Sequence, residues 1–276
     1  MATAELHLPT DITDIGTEIG KMSHAVGVGG LGSFKNQWPG YKHLMGGSES
    51  PLHVSKHFLA IPDHGLSPVE EMYGELEENF LEVHDHLESK VTLFGHSLGG
   101  FMVTRLGIDH PDKISNVVAV AGVQEGVKSI TPSGQILKFL LNNPPGEEHI
   151  MHESDFIQSH LQRVKTEWDP DVNLHLISPT YDTLIPAPQG LGLEVPDGQS
   201  IEKHMIAPNF PGLRRMLRHR YRLPEDVGFL DNPWAVGHVD IAFSLGLFNY
   251  MKQIRRDSPE SDVEAIASSR LEAVAA

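Results

Sequence analysis

Short runs of apolar and β-branched residues alternate along the chain with longer amphipathic stretches. This alternation predicts an α/β fold with a mostly parallel central sheet, because each strand followed by a helix adds one strand to the same sheet. Six of the short runs predict strands, namely Ala25–Val28, His57–Ile61, Val91–Phe94, Asn116–Ala121, Leu174–Ser178 and Ile201–Ile206.

The amphipathic stretches predict three helices that cover the sheet. The first spans Pro68–Leu87 and has a proline at its start and acidic residues in its first turn, which is typical of a helix N-terminus. The second spans Leu98–Ile108, and the third follows Gly237 and ends near Arg256.

Two segments interrupt the alternation of strands and helices. Residues 124–169 separate two strands by more than one crossover helix requires, and they contain the apolar stretch Ile136–Leu141, so we predict a cap or lid insertion there. Residues 208–234 follow the last predicted strand and carry five arginines, which predicts a second insertion. The tail 257–276 is predicted to fray. The whole chain, 1–276, is then a single α/β domain with these insertions.

Composition narrows the classes of function. The chain has 276 residues, enough for one large core, and its 21 basic and 37 acidic residues give a net charge of −16, which argues against nucleic acid as a partner. There is no cysteine, which excludes disulfides, thiolate metal sites and a cysteine nucleophile. The longest strongly apolar run, Val117–Val123, is too short to span a bilayer, and the first twenty residues contain no signal-peptide pattern. We therefore expect a soluble protein, with the cytoplasm favoured, although the mature form of a secreted enzyme would look the same.

A candidate catalytic serine stands in the sequence Gly95-His96-Ser97-Leu98-Gly99, which directly follows one predicted strand and leads into a predicted helix. A nucleophilic serine on a sharp strand-to-helix turn requires this arrangement, because small residues on both sides let the backbone turn tightly. The alternative is an ordinary glycine-rich turn whose serine caps the helix. Glycine on both sides of Ser97 favours the nucleophile.

The extended motif Gly95-His96-Ser97-Leu98-Gly99-Gly100 resembles the nucleophile elbow of lipases and esterases with the α/β-hydrolase fold, and the resemblance covers about residues 24–256. It implies the α/β-hydrolase fold, with a mostly parallel sheet flanked by helices and a variable cap. It also implies a triad in the chain order serine, acid, histidine, and an oxyanion hole after the first core strand.

The resemblance places the catalytic histidine in a Gly-His loop before the last helix, where this chain has Gly237-His238. The rival His204 lies inside a predicted strand. The acid is expected in the loop that leaves the strand Leu174–Ser178, where Asp182 stands. Other carboxylates remain possible acids, and Asp182 could instead be a solvated or helix-capping residue; the other carboxylates are Glu225, Asp231 and Asp240.

The oxyanion hole is expected in the glycine-rich segment Val26–Gly32. This segment resembles the His-Gly-x-Gly loop of the family, with Gly29 where the family has histidine. The expected donors are the backbone N–H groups of Leu31 and Leu98. The alternatives are a plain glycine-rich loop and a phosphate-binding turn.

The other clusters of polar residues do not indicate a cofactor site. The sequences His84-Asp85-His86 and His149–His152 do not provide a convincing set of metal ligands, so we predict neither a metal nor an organic cofactor. The arginine cluster Arg214–Arg222 would either attract an anionic group or pair with nearby carboxylates.

Taken together, the residues and the resemblance predict a serine carboxylic-ester hydrolase of the lipase or esterase type that acts on a small-molecule or lipid ester. The alternatives are acyl transfer or thioester cleavage by the same triad, and a non-catalytic ligand receptor with the same fold. The sequence distinguishes neither the acyl chain length nor the oligomeric state.

Overall fold

A seven-stranded parallel sheet forms the centre of the protein. The computed structural model describes residues 24–30, 56–59, 67–87, 89–127, 151–152, 154–182, 184–199, 201–238, 241 and 244–257. The strands in chain order are β1 His24–Val28, β2 Lys56–Leu59, β3 Val91–His96, β4 Ile114–Val120, β5 Asn173–Ser178, β6 Ile201–Ala207 and β7 Gly228–Asp231. Their spatial order is β2-β1-β3-β4-β5-β6-β7. The expected α/β-hydrolase arrangement of a parallel sheet flanked by helices is confirmed.

Six helices connect or follow these strands within the described residues. They are α1 Val69–His84, α2 Leu98–Asp109, α3 Asp155–Glu167, α4 Ala187–Gly190, α5 Pro211–Tyr221 and α6 Leu245–Asp257. The three predicted helices are confirmed as α1, α2 and α6. None of the helices in the described part of the chain is long and apolar enough to cross a membrane.

The helices bury both faces of the sheet, and the side chains of each strand alternate between the two cores. Helices α1, α2, α3 and α5 contribute to the core that contains Leu93, whereas α6 packs against the opposite face, on Phe94. All six residues of β3 are buried, as expected for a central strand that is covered on both sides. Its carboxyl end can therefore hold a side chain at the sheet edge with little freedom to move.

The six predicted strands are confirmed, with ends that differ by one or two residues, but the prediction that β6 is the last strand is wrong. Residues 208–234 supply the helix α5 and the strand β7, which pairs in parallel with β6. The pattern did not reveal β7 because it has only four residues, all half-buried or exposed.

The predicted cap, 124–169, contains the helix α3, which connects β4 to β5. Its first turn is capped by the Ser154 hydroxyl, which accepts the Ile157 N–H at 3.2 Å. Residues 128–150, which include the apolar stretch Ile136–Leu141, lie outside the described residues, as does the tail from residue 258. The cap and the fraying tail therefore stay predictions.

Candidate active site

Ser97 stands at the turn between β3 and α2. Its φ of 57° and ψ of −122° place a non-glycine residue in a sparsely populated region of backbone space. Such a conformation persists only where the surrounding structure holds it, and it is common at functional sites. The turn presents the serine at the carboxyl edge of the sheet, where open α/β sheets bind their ligands.

Two glycines make this tight turn possible. A Cβ atom on Gly95 would lie 2.1 Å from the Gly99 carbonyl oxygen, and a Cβ atom on Gly99 would lie 2.2 Å from the Gly29 carbonyl oxygen. Backbone groups that are fixed by the sheet and by α2 cannot move aside, so each position requires glycine. The contact with Gly29 also brings the glycine-rich loop after β1 against the start of α2.

A continuous chain of hydrogen bonds links Ser97 to His238 and Asp182. The Ser97 Oγ lies 2.9 Å from His238 Nε2, and His238 Nδ1 lies 2.7 Å from Asp182 Oδ2. The side chain of Asp182 is fully buried and that of His238 is 11% exposed. The structure therefore brings together all three residues of the predicted triad, in a place that is mostly shielded from water.

The loop after β5 holds Asp182 in a fixed orientation. Its Oδ1 atom accepts the backbone N–H groups of Leu184 and Ile185, both at 2.8 Å, which leaves Oδ2 for His238. The buried Thr180 hydroxyl donates to the Ile206 carbonyl oxygen at 2.5 Å and accepts the Val236 N–H at 3.3 Å. Thr180 thus ties the acid loop to the loop that carries His238, a role that its sequence context did not indicate.

His96, the residue before Ser97, is a further part of the site that sequence reasoning missed. Its Nε2–H donates to the backbone carbonyl oxygen of His238 at 2.7 Å, and the two rings lie 5.0 Å apart. Burial and, to a smaller extent, the proximity of His238 lower the pKa of His96 to about 4, so the ring is neutral at pH 7. Its position inside the glycine-flanked motif was the only available signal.

One expected oxyanion donor lies within the described residues. Leu98 is the first residue of α2, and its N–H makes no hydrogen bond to any other residue that the structure describes. A free N–H at a helix N-terminus favours a negative charge nearby. Gly30 packs beside the nucleophile, since a Cβ atom there would lie 3.0 Å from the Ser97 Cβ. Leu31, the other expected donor, falls outside the described residues.

A buried polar cluster supports the start of α2. The Gln124 amide donates to the Gly100 carbonyl oxygen and to the Thr104 hydroxyl, both at 2.9 Å. His160 of α3 lies 3.4 Å from Gln124 Oε1, and its ring packs 4.3 Å from that of Phe101. Burial lowers the pKa of His160 to about 3, so this ring is also neutral at pH 7.

The rival residues have other partners. His204 lies on β6, 3.4 Å from a Glu202 oxygen, with its ring 4.5 Å from that of Tyr250. Asp231 pairs with Arg214, and Glu225 is exposed in the turn between α5 and β7. Asp240 lies outside the described residues.

No group of three histidine, aspartate or glutamate side chains in the described ranges could hold a metal ion. His84 ends α1, and His86 follows it. The His152 ring lies 2.5 Å from the Glu125 carbonyl oxygen, and His149 is not among the described residues.

Comparison with known proteins identifies the fold. Residues 74–189 match a family model described as alpha/beta hydrolase fold, and no curated protein matches the chain. One of two metagenome-derived lipolytic enzymes superposes with a TM-score of 0.54 at 10% identity, over 85% of this chain and 95% of that one. A Bacillus licheniformis lipase in its mature form has a TM-score of 0.49 at 13% identity, over 85% and 92% of the two chains. A monoacylglycerol lipase of Paleococcus ferrophilus has a TM-score of 0.44 at 19% identity, over 90% and 96%.

Proposed function

This protein has the α/β-hydrolase fold, and we propose that it is a serine carboxylic-ester hydrolase of the lipase or esterase type. The observation that carries the proposal is the unbroken path of hydrogen bonds from Ser97 through His238 to Asp182, at 2.9 Å and 2.7 Å. Nucleophilic acyl transfer needs this order of groups, in which a hydroxyl contacts an imidazole and the imidazole contacts a buried carboxylate.

In the first half of the reaction, Ser97 Oγ attacks the ester carbonyl carbon while His238 Nε2 accepts the hydroxyl proton. Asp182 accepts the Nδ1–H of His238, which fixes the tautomer and stabilises the imidazolium that forms. The carbonyl oxygen becomes an oxyanion and accepts hydrogen bonds from the N–H groups of Leu98 and Leu31. His238 then gives its proton to the leaving alcohol, and an acyl-enzyme remains on Ser97.

In the second half, water replaces the alcohol. His238 accepts a proton from the water as its oxygen attacks the acyl carbon, and the same two N–H groups hold the second oxyanion. Collapse of this intermediate releases the carboxylic acid and returns the proton to Ser97. The free N–H of Leu98 supports this assignment, because the helix start offers a donor with no acceptor among the described residues.

The proposal is tested with initial rates on p-nitrophenyl esters from acetyl to palmitoyl, using the wild type and Ser97→Ala. We expect the substitution to lower kcat by about 10⁶-fold, as for other triad serines. Ser115→Ala is the matched control, since the half-buried Ser115 hydroxyl donates to the Val91 carbonyl oxygen and accepts from the Asn116 amide, away from the three residues of the triad. The optimum chain length separates an esterase from a lipase.

A fluorophosphonate probe tests the nucleophile independently of the substrate. Labelling of the wild type and of Ser115→Ala, but not of Ser97→Ala, supports an activated serine. Labelling without turnover of any ester would contradict ester hydrolysis and would favour acyl transfer or thioester cleavage. If a well-folded protein showed neither labelling nor turnover, the catalytic proposal would fail and a ligand receptor would be favoured.

A further inference from the structure

The large apolar side chains that are exposed in the described part of the chain lie at the carboxyl edge of the sheet or on the helix α5 that begins there. They are Phe210, Met216, Trp234 and Tyr181, with exposed fractions of 64%, 52%, 50% and 49%. Tyr181, Phe210 and Trp234 follow the carboxyl ends of β5, β6 and β7, and Met216 lies on α5. Because these strands are parallel, the three aromatic residues share the sheet edge that also carries Ser97.

Hydrogen bonds between the loops hold these aromatic residues near one another. The Asn209 amide donates to Asp231 at 3.3 Å, and the Asn232 N–H donates to the Ala207 carbonyl oxygen at 3.2 Å, which brings the loops of Phe210 and Trp234 together. The Tyr181 N–H donates to the Val236 carbonyl oxygen at 3.1 Å, just after Trp234. The loops that carry the three exposed aromatic residues therefore adjoin one another at this edge.

Helix α5 extends this surface with positive charge. Its outward positions are Arg215, Met216, His219 and Arg220, whereas Leu217 is buried in the core. From residue 208 to residue 223 the chain has five arginines and no acidic residue, although the net charge of the protein is −16. At about 1.5 Å per residue, Arg220 lies about 15 Å along the helix from Phe210.

Two of the five arginines have structural partners. Arg214 pairs with Asp231, and Arg218 donates to the carbonyl oxygens of Pro224 and Val227. Arg215 and Arg222 form no ion pair with any described residue, and Arg220 only lies over the Tyr221 ring, at 5.7 Å. Within the described part of the chain, the exposed guanidinium groups of Arg215, Arg220 and Arg222 are therefore without an acidic partner and could meet an anionic one.

We propose that this surface docks the protein on an anionic lipid surface; we call it the α5 face and define it by Tyr181, Phe210, Arg215, Met216, Arg220 and Trp234. Exposed aromatic side chains beside arginines suit the boundary between head groups and acyl chains, where rings insert and guanidinium groups meet phosphates. A nucleic acid duplex suits it less, because only a lipid surface offers an apolar layer for the exposed aromatic side chains and Met216. Docking would hold lipid esters at the edge that carries Ser97, and in that respect it rests on the proposed function.

Binding is measured by co-sedimentation of the Ser97→Ala protein with vesicles, so that no lipid is hydrolysed. Vesicles of phosphatidylcholine alone are compared with vesicles that also contain phosphatidylglycerol, and we expect binding to the anionic vesicles that weakens with salt. Each arginine near such a surface contributes about fivefold in affinity, so Arg215→Gln with Arg220→Gln should weaken binding by about 30-fold.

The matched control removes two positive charges elsewhere on the surface, with Lys113→Gln and Lys165→Gln. Lys113 pairs with Asp112 and Lys165 pairs with Glu194, and their side chains are 28% and 58% exposed. Both double variants have the same net charge. If they lose affinity equally, only the net charge matters and the docking surface is refuted.

Tryptophan fluorescence tests the orientation of the bound protein. Of the three tryptophans, Trp234 is half-exposed and Trp168 is buried with 3% exposure. Trp38 lies outside the described residues and is replaced by phenylalanine in every protein of this test. Anionic vesicles should shift the emission of the Ser97→Ala protein to shorter wavelength, and adding Trp234→Phe should abolish that shift. A shift that persists in Trp234→Phe would place another part of the protein on the lipid and would contradict the proposal.

The remaining outcomes of the vesicle experiments also test the docking proposal. Equal binding to both kinds of vesicle, or no binding to either, overturns the proposal. A duplex oligonucleotide is the last competitor. If it displaces the protein from vesicles and its own binding depends on Arg215 and Arg220, the surface recognises any polyanion and the proposal is overturned. Lipid binding without turnover of esters leaves docking intact while the proposed function fails, and turnover without lipid binding gives the reverse.

Discussion

His96 should position His238 for catalysis without touching the substrate. Its ring is 5% exposed, and its Nε2–H donates to the His238 carbonyl oxygen at 2.7 Å. His96→Met removes the donor and keeps a side chain of similar length. His96→Gln keeps an N–H at about the same distance from the backbone, so the two variants differ in whether a donor can reach the His238 carbonyl oxygen.

The expected size of the effect follows from burial of the bond. A buried carbonyl oxygen that loses a donor costs about 1–3 kcal/mol, which the loop relieves by moving toward another donor or toward water. Such a movement shifts the His238 ring relative to Ser97, and a misplacement of about 1 Å can cost about 10²-fold in rate. We therefore expect His96→Met to lower kcat by about 10- to 100-fold, with little change in KM, and His96→Gln to restore most of kcat.

The assay is steady-state hydrolysis of a p-nitrophenyl ester at pH 7, with kcat calculated per serine labelled by a fluorophosphonate. Urea unfolding of each variant shows whether the population is folded under the assay conditions. A purely structural role would reduce the number of active molecules and leave kcat per labelled serine unchanged. That result, or a glutamine variant no faster than the methionine variant, would refute the positioning role.

Three further predictions concern the turn at Ser97, the buried His160 and the acid Asp182. Gly95→Ala should destabilise the protein by about 1–3 kcal/mol or more, because the new Cβ would overlap the Gly99 carbonyl. The control Gly74→Ala, whose Cβ meets no atom within 4 Å in α1, should stabilise the protein by about 0.5–1 kcal/mol in urea unfolding. If Gly95→Ala left the stability unchanged, the tight turn described here would be wrong. Burial lowers the pKa of His160 from 6.5 to about 3, so as the pH falls the ring is protonated in the unfolded chain before it is protonated in the folded protein. The stability that the neutral ring contributes is therefore complete above pH 6.5 and is lost as the pH falls toward 3. His160→Gln should therefore make the fall in unfolding free energy between pH 6.5 and 4.5 shallower by up to about 1.4 kcal/mol per pH unit, and an unchanged slope would show that His160 is not buried as described. Asp182→Asn should lower kcat by about 10⁴-fold with KM nearly constant, because the imidazolium loses its partner; a variant that kept its activity would exclude Asp182 as the acid.

The parts of the fold that the sequence predicted are those with local causes. The strand before Ser97 is a continuous apolar run, and the glycines around the serine are required by contacts within the turn itself. Asp182 was predicted because it stands in the loop that leaves a recognisable strand, and His238 because it stands in a Gly-His loop before the last helix; the resemblance to the hydrolase family implies the acid and the base at these places. A short segment of sequence is sufficient to identify each of these features.

The features that were missed have weaker or non-local causes. Helix α3 did leave a signal, since Ile157, His160 and Val164 recur at helical spacing and are buried. The expectation of a cap over that stretch obscured it. His96 is different, because its acceptor lies 142 positions away in the chain and no periodic pattern connects the two. Only the assembled sheet brings the motif of β3 to the loop after β7.

The assembled sheet also explains why the short strand β7 matters to the site. It adds little to the core, yet the loop that carries His238 starts where it ends. From there the buried Asn232 accepts the Gly246 N–H at 3.1 Å and donates to the Trp234 carbonyl oxygen at 2.7 Å, and Thr180 accepts the Val236 N–H. The position of the His238 ring thus depends at once on the ends of β5, β6 and β7 and on His96 of β3. Because several strands hold the catalytic base, one stretch of sequence cannot locate it, whereas one stretch of sequence is enough to locate the nucleophile.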